Sequence, residues 1–319
     1  MKHIQLAIAI CVFATSMFSC RKESFITSPD ARVSTSADSL KFDTVFTSVG
    51  SITQSFKIFN NNNQKLLLSK VKLMGGAGSA YKININGLAA PEADNIELAA
   101  NDSMYVFVTV NINPSAANLP FIISDSILIN YNGNSRFVQL QAYGQNARFL
   151  DNQVITTNTV WTNDLPYVIL NGIQVDTGIS LTINPGCKIY VHANAAFIVD
   201  GTLIANGEKN HEVQFASNRL DDPYNNLPGT WPGIYFRGNS IDNALSFAII
   251  KNAYQALVLE GPSINTNPKL TLQQCIVDHA YDAGLLSFNG SVHANISLVS
   301  NCGKNNNIAL GGDYQFTNC

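Results

Sequence analysis

Residues 179–207 read ISLTINPGCKIYVHANAAFIVDGTLIANG. Three short apolar runs, Leu181-Thr182-Ile183, Ile189-Tyr190-Val191 and Phe197-Ile198-Val199, are interrupted by Asn184-Pro185-Gly186 and Asn194-Ala195-Ala196. Each run is too short for a helix, and its β-branched residues favour strands. The turn residues return too soon for a sandwich, yet the same short pattern resumes after each of them. Such a sequence describes a coil of strands, one rung with three faces and three turns. It predicts a right-handed parallel β-helix.

Toward the C-terminus, past Trp231, the repeat becomes countable. Ala248, Cys275, Ser297 and Cys319 fall in one column, spaced 27, 22 and 22 residues apart. Leu245, Leu272, Ala294 and Phe316 make a second with the same spacings, and Ile250, Val277 and Val299 a third. About 22 residues per turn suits this architecture, with residues 263–269 of the longer turn bulging as a loop. Residues in a column then stack at the ~4.8 Å strand spacing. Cys275 and Cys319 lie two rungs apart, about 9.6 Å, beyond disulfide reach, and read as interior thiols. Without a CxxC pair or a Cys/His cluster, no zinc site is expected.

The segments "LTINPGCKIYV", "IVDGTLIANG", "VQFAS" and "GTWPGIYF" resemble the right-handed β-helix regions of bacterial surface lipoproteins, within the pectate-lyase-like superfamily. The resemblance covers about half the chain, from about Tyr167 onward. It implies the architecture, and those segments carry no catalytic residue of the superfamily.

Upstream the pattern changes to strands of four to eight residues at 55–59, 66–73, 81–85, 104–111, 126–131 and 137–142. Val106, Val108 and Val110 alternate with Phe107 and Thr109, and the clusters at 60–63, 75–78 and 132–134 are rich in Asn and Gly. Asn132-Gly133 is a two-residue hairpin signal. This predicts an antiparallel sandwich of immunoglobulin type. The order "LKFDTVFTSVGSITQSFKIFNN", "YVFVTVNINPS", "VQLQAYG" resembles the Ig-like domains of the ASPM–SPD-2–Hydin class, which implies a spacer or interaction module. The expected fold class is thus all-β, with an Ig-like sandwich at 37–146 followed by the β-helix at 147–319. Because residues 314–319 end inside a strand, that β-helix reads as incomplete and its C-terminal end as uncapped.

Residues 1–20, MKHIQLAIAICVFATSMFSC, place Lys2 and His3 before an apolar run from Ile4 to about Phe18. Roughly 15 apolar residues fall short of the ~20 that cross a bilayer and suit the core of an export signal. Ser19-Cys20 resembles a relaxed bacterial lipobox, with Met17 where the strict form has Leu. The resemblance implies removal of a signal peptide at 1–19 and acylation of Cys20, each buried CH₂ adding about 0.8 kcal/mol of membrane affinity. Arg21-Lys22-Glu23 lacks an Asp beside the Cys, which implies the outer membrane, with the cell surface favoured over the periplasmic face. Ordinary secretion with cleavage near Ser19 is the other reading. Residues 20–36, rich in Ser, Thr and Asp, read as a lipid-anchored tether. With a net charge of -3 and 13% charged residues, no basic field exists to attract nucleic acid.

Asn252, His279 and Asn301 repeat at 27 and 22 residues. They read first as a polar ladder satisfying backbone groups at a rung corner, and second, for His279, as a general base tuned by Asp278 and Asp282. The outward positions Lys188, Tyr190, His192, Glu212, Gln214, Tyr235 and Arg237 include one carboxylate, short of the pair glycoside hydrolysis needs. Loop 218–231, NRLDDPYNNLPGTW, is the ligand-binding candidate. Asp221 and Asp222 are oxygen donors of the kind Ca²⁺ prefers. Tyr224 and Trp231 offer faces for a sugar ring, with Tyr235 and Arg237 on the next strand. In the competing reading Trp231 plugs the coil and the aspartates are solvated. No other cofactor is expected. The leading functional expectation is a non-catalytic, lipid-anchored envelope scaffold that binds glycan or protein. The alternative is a polysaccharide lyase or glycoside hydrolase acting on acidic polysaccharide.

Overall fold

The computed structural model describes residues 24–46, 50–113 and 121–319. Residues 1–20, with the expected signal peptide at 1–19 and the expected acylation site Cys20, lie outside the described residues. No described helix is long and apolar enough to cross a membrane. The described residues form two compact units, one built from 24–41, 52–110 and 124–141, the other chiefly from 142–319.

Strict alternation in the first unit directs Phe56, Ile58, Val106, Val108 and Val110 inward, where all are buried. The result is a sandwich of two five-stranded sheets. One runs Val33–Thr35, Gln54–Asn60, Ser103–Val110, Tyr81–Ile85, Leu88–Ala89, antiparallel throughout. The other runs Ser39–Phe46, Asn134–Gln145, Phe121–Tyr131, Leu66–Leu73, Glu92–Leu98. Asn132 and Gly133 have φ of 44° and 80°, the left-handed pair that a type I′ hairpin requires. Two edge strands escape the alternation rule. Glu92–Leu98 buries only Leu98, so its sequence shows no apolar period. Val33–Thr35 lies inside the expected tether, which is corrected here from Ser24 onward. Val33 pairs with Asn60, and the Asn132 side chain donates to the carbonyls of Ile26 and Ser28 at 2.9 and 3.0 Å. This segment is part of the sandwich.

The second unit is a parallel β-solenoid of seven turns with three seven-stranded faces. The first face starts at Arg148–Leu150, the second at Gln153–Ile155 and the third at Thr159–Trp161. The coil therefore begins at Arg148. The columns hold: Leu245 pairs with Leu272, Leu272 with Ala294 and Ala294 with Phe316. Ile250 pairs with Val277 and Val277 with Val299. Inside, Phe197, Phe215 and Phe236 are fully buried, and Phe197 meets Phe215 edge-on at 5.9 Å. Each such side chain stabilises the fold by roughly 1.5–3 kcal/mol.

The ladder turns the corners through single left-handed residues. Phe247, Gln274, Ile296 and Asn318 follow the third face with φ of 43° to 54°. Asn252, His279 and Asn301 follow the first with φ of 63°, 54° and 53°, and Gly261, Asn289 and Gly311 the second. The backbone N–H of Phe247, Gln274, Asn252, His279, Gly261 and Asn289 each donates to a carbonyl one turn further on. That bond fixes a backbone conformation L-residues otherwise avoid.

The cysteines Cys187, Cys275, Cys302 and Cys319 are free. Cys187 and Cys275 are interior, and burial pushes both thiols up to about 11. Cys319, expected inside, is exposed on the last described turn. The aromatic ring of Tyr190, expected to point to solvent, is covered by Val168 and Ala216 of the same face.

Gly233 has φ of 123°, and a Cβ there would sit 1.7 Å from the Gln255 carbonyl oxygen. Gly233→Ala is expected to lower the melting midpoint of the solenoid transition by about 5 °C or more, a cost above ~2 kcal/mol at this size. Gly238→Ala, whose Cβ meets open space, should leave it unchanged. Calorimetry of both variants checks this.

Candidate functional site

Loop 218–231 interrupts the repeat between Val213–Ser217 and Ile234–Phe236. Its residues are largely committed to one another. Arg219 donates from Nε to Asp221 Oδ1 at 2.7 Å and from its terminal nitrogen to Oδ2 at 2.8 Å. The same guanidinium lies 3.8 Å over the Tyr224 ring. Asp221 is thus the partner of a bidentate fork, and one face of Tyr224 is taken. Asp222 is exposed. Among the described residues no cluster of three or more His, Cys, Asp or Glu could hold a metal ion. The oxygens of Asp221 that suited Ca²⁺ are occupied by Arg219.

Trp231 presents no face to solvent. It is 1% exposed, belongs to the solenoid core, and donates from Nε1 to the Lys251 carbonyl at 2.8 Å. The plug reading of this residue holds, and the ring-stacking expectation is corrected. Tyr235 is half-buried against Val258, Ala283 and Leu286, its hydroxyl donating to the Pro232 carbonyl at 3.4 Å. Arg237 is held by Asp200 through both Nε, at 2.7 Å, and its terminal nitrogen. Gln174 adds a bond to Asp200 at 2.7 Å. The Arg237 guanidinium, then a share of burial working the other way, leaves the Asp200 carboxyl below its ordinary range.

Close by, Lys269 is fully buried in a segment that read as a bulging loop. Its Nζ donates to the carbonyls of Arg237, Gly238 and Glu260 at 3.1, 3.1 and 2.8 Å. Burial lowers its pKa, with Glu260 pulling the other way. Three carbonyl acceptors are what a buried ammonium needs, so this lysine clamps successive turns.

At the other corner, His279 Nδ1 lies 2.6 Å from Asp278 Oδ2. Asp278 Oδ1 accepts from Ser300 Oγ and Asn301 Nδ2, both at 2.9 Å. Burial pushes the Asp278 carboxyl up, but the bonds from His279, Asn301 and Ser300 outweigh it and hold it below its ordinary range. A Ser–His–Asp relay needs the histidine between serine and carboxylate. Here the carboxylate is in the middle, and Ser300 is not activated. Asp282 binds elsewhere, accepting from Gln255 at 2.7 Å and pairing with Lys304 at 2.9 Å. The backbone column Asn252, His279, Asn301 exists, but its side chains do not form one ladder. Asn252 donates to the Asn225 carbonyl at 2.7 Å and ties the loop down.

Tyr254 and Tyr281 were not singled out by the sequence reading. Their rings stack at 5.5 Å and 20°, with 42% and 51% of each residue exposed. They are 27 residues apart, the spacing that relates Asn252 to His279, so extending that column by two positions would have found them. Tyr281 abuts the loop, where a Cβ on Gly229 would lie 3.1 Å from it. The following turn places Gly303 after Tyr281, so no side chain continues the stack. The buried side-chain oxygens without a partner among the described residues, Asn218 Oδ1 and Asn225 Oδ1, both belong to this loop.

No protein-family model matches the chain, and no curated protein matches its sequence. Solved structures show partial likeness. They include a family 123 glycoside hydrolase from Clostridium perfringens, at 9% identity and TM-score 0.27, over 38% of this chain and 30% of that one. PapD-like domain 7 of human CEP192 aligns at 11% and 0.24, over 40% of this chain and 92% of that domain. The YadV chaperone aligns at 10% and 0.23, over 36% and 51%. The neighbours thus include PapD-like domains of immunoglobulin type, and this chain spans about 30% of the hydrolase. Likeness this partial says nothing about activity.

Asp200, held ionised by Arg237, contributes stability above its unfolded pKa of about 4 that is lost as pH falls through the lower folded value. Asp200→Asn is expected to melt several degrees below the wild type at pH 7. The gap should close as pH is lowered from about 5 toward 2. A gap constant over that range, in thermal melts monitored by circular dichroism, would show that the carboxylate charge is not what Arg237 needs.

Proposed function

We propose that this chain is a non-catalytic, lipid-anchored protein of the bacterial outer membrane, facing the surface, whose solenoid binds glycan. The observation that carries the binding reading is the exposed Tyr254–Tyr281 stack beside loop 218–231. Tyrosine combines an apolar ring with a polar tip, which suits the C–H face and hydroxyl rim of a sugar. Asp282, Lys304 and Gln255 lie at the same corner and supply hydrogen-bonding groups at its margin. The anchoring part rests on the lipobox resemblance at Ser19-Cys20 and the apolar run before it. The Asp278–His279 pair is the observation that favours the alternative, a lyase or hydrolase of acidic polysaccharide.

Titration of pectate, alginate and chondroitin into the protein should give saturable binding to at least one. Tyr254→Ala with Tyr281→Ala should weaken it about tenfold while the melting temperature stays within a few degrees. Release of unsaturated or reducing ends, at a rate that falls in His279→Ala, would replace this reading with the enzymatic one. In detergent phase partitioning the wild type is expected in the detergent phase and Cys20→Ala in the aqueous phase. Partitioning of Cys20→Ala with the wild type would falsify acylation.

A further inference from the structure

At one edge of the sandwich the two sheets leave a cleft of about 360 Å³. Its floor is apolar and buried: Leu73, Tyr81 and Ile83. Its rim is small: Ala77, from the turn after Leu66–Leu73, and Ala90, just past the two-residue strand Leu88–Ala89. Strands normally close such an edge with large inward side chains. Here alanines stand at the rim, and the space stays open.

One charged group belongs to the cleft. Lys82 lines it, and its Nζ turns back to donate to the carbonyls of Ala77 and Ser79 at 3.1 and 3.3 Å. An ammonium carries three N–H donors, so two are used by the rim and one remains. The carboxylate bonded to this turn, Asp125, is engaged by the Gly75 N–H at 3.0 Å, the Ser126 N–H at 2.7 Å and the Ser79 hydroxyl at 2.5 Å. Among the described residues the bonds of Lys82 Nζ go to carbonyls. The cleft therefore pairs an apolar floor with a positive charge held at its mouth. Ligand sites are of this size and make-up, mostly apolar with few fixed polar groups.

We propose that this cleft binds a medium-chain carboxylate, the acyl tail lying on Leu73, Tyr81 and Ile83 and the carboxylate on Lys82. The volume corresponds to about a dozen waters at ~30 Å³ each, room for a chain of roughly eight to ten carbons. The site lies in the sandwich and is independent of the glycan reading of the solenoid.

The test is titration of the full chain with octanoate, followed by calorimetry and by amide shifts of residues 73–91. Saturable binding is expected, with octylammonium, the same tail bearing the opposite charge, at least fivefold weaker. Lys82→Gln, a surface change, should weaken octanoate about fivefold and bring the two ligands level. Ala77→Leu with Ala90→Leu should abolish binding. The proposal is overturned if octanoate does not saturate, if octylammonium binds the wild type equally well, or if Lys82→Gln leaves octanoate affinity unchanged.

Discussion

The in-register backbone ladder between turns is the constraint on which the solenoid depends. A parallel strand between two others must bond both, and a chain that climbs one rung per circuit has to keep doing so through its corners. In the later turns this is met by a single left-handed residue at each of three corners, its N–H reaching the next rung. Asparagine and glycine accept that conformation at low cost. Phe247 and Ile296 do not, and they adopt it because the ladder on both sides leaves no alternative. Once the corners are set, each residue's neighbours above and below are set too, and the interior becomes a stack of Leu, Ile, Val and Phe at one spacing.

The same constraint determines what polar groups do. A charged residue near a corner sits beside carbonyls and side chains one rung away, which offer it partners in fixed positions. Lys269, Arg237 with Asp200, and Asp278 with Ser300 and Asn301 are all used in this way. Residues that would suggest chemistry in an irregular fold are here cross-links between turns. Freedom returns only where the repeat is interrupted or a column ends. Loop 218–231 and the Tyr254–Tyr281 pair, which Gly303 does not continue, meet that description.

The legible and illegible parts divide along these lines. The columns through Leu272, Cys275 and Val277 were readable because each depends on spacing alone. The sequence leaves two roles open for Trp231, and burial with its bond to the Lys251 carbonyl makes it a plug. The edge strands Val33–Thr35 and Glu92–Leu98 were missed because an edge strand half in water needs no apolar period, and short polar segments look like linkers. The glycan candidates in the loop rest on residue type alone. Whether a carboxylate or ring is open depends on what else reaches it, and Arg219 reaches both Asp221 and Tyr224.

Sequence by itself determined the all-β class, the coil with about 22 residues per turn in its regular part, the antiparallel sandwich before it and the Asn132-Gly133 hairpin. These follow from period and turn chemistry, which are local properties of the chain. Tertiary structure alone decided which side chains are free. Arg237, Lys269 and Asp221 are far in sequence from, or unmarked beside, the groups that hold them, and Tyr254 and Tyr281 become a surface only when two turns are stacked. Arg237 and Asp200 are 37 residues apart, and only the stacking of one rung on the next brings them into bonding distance.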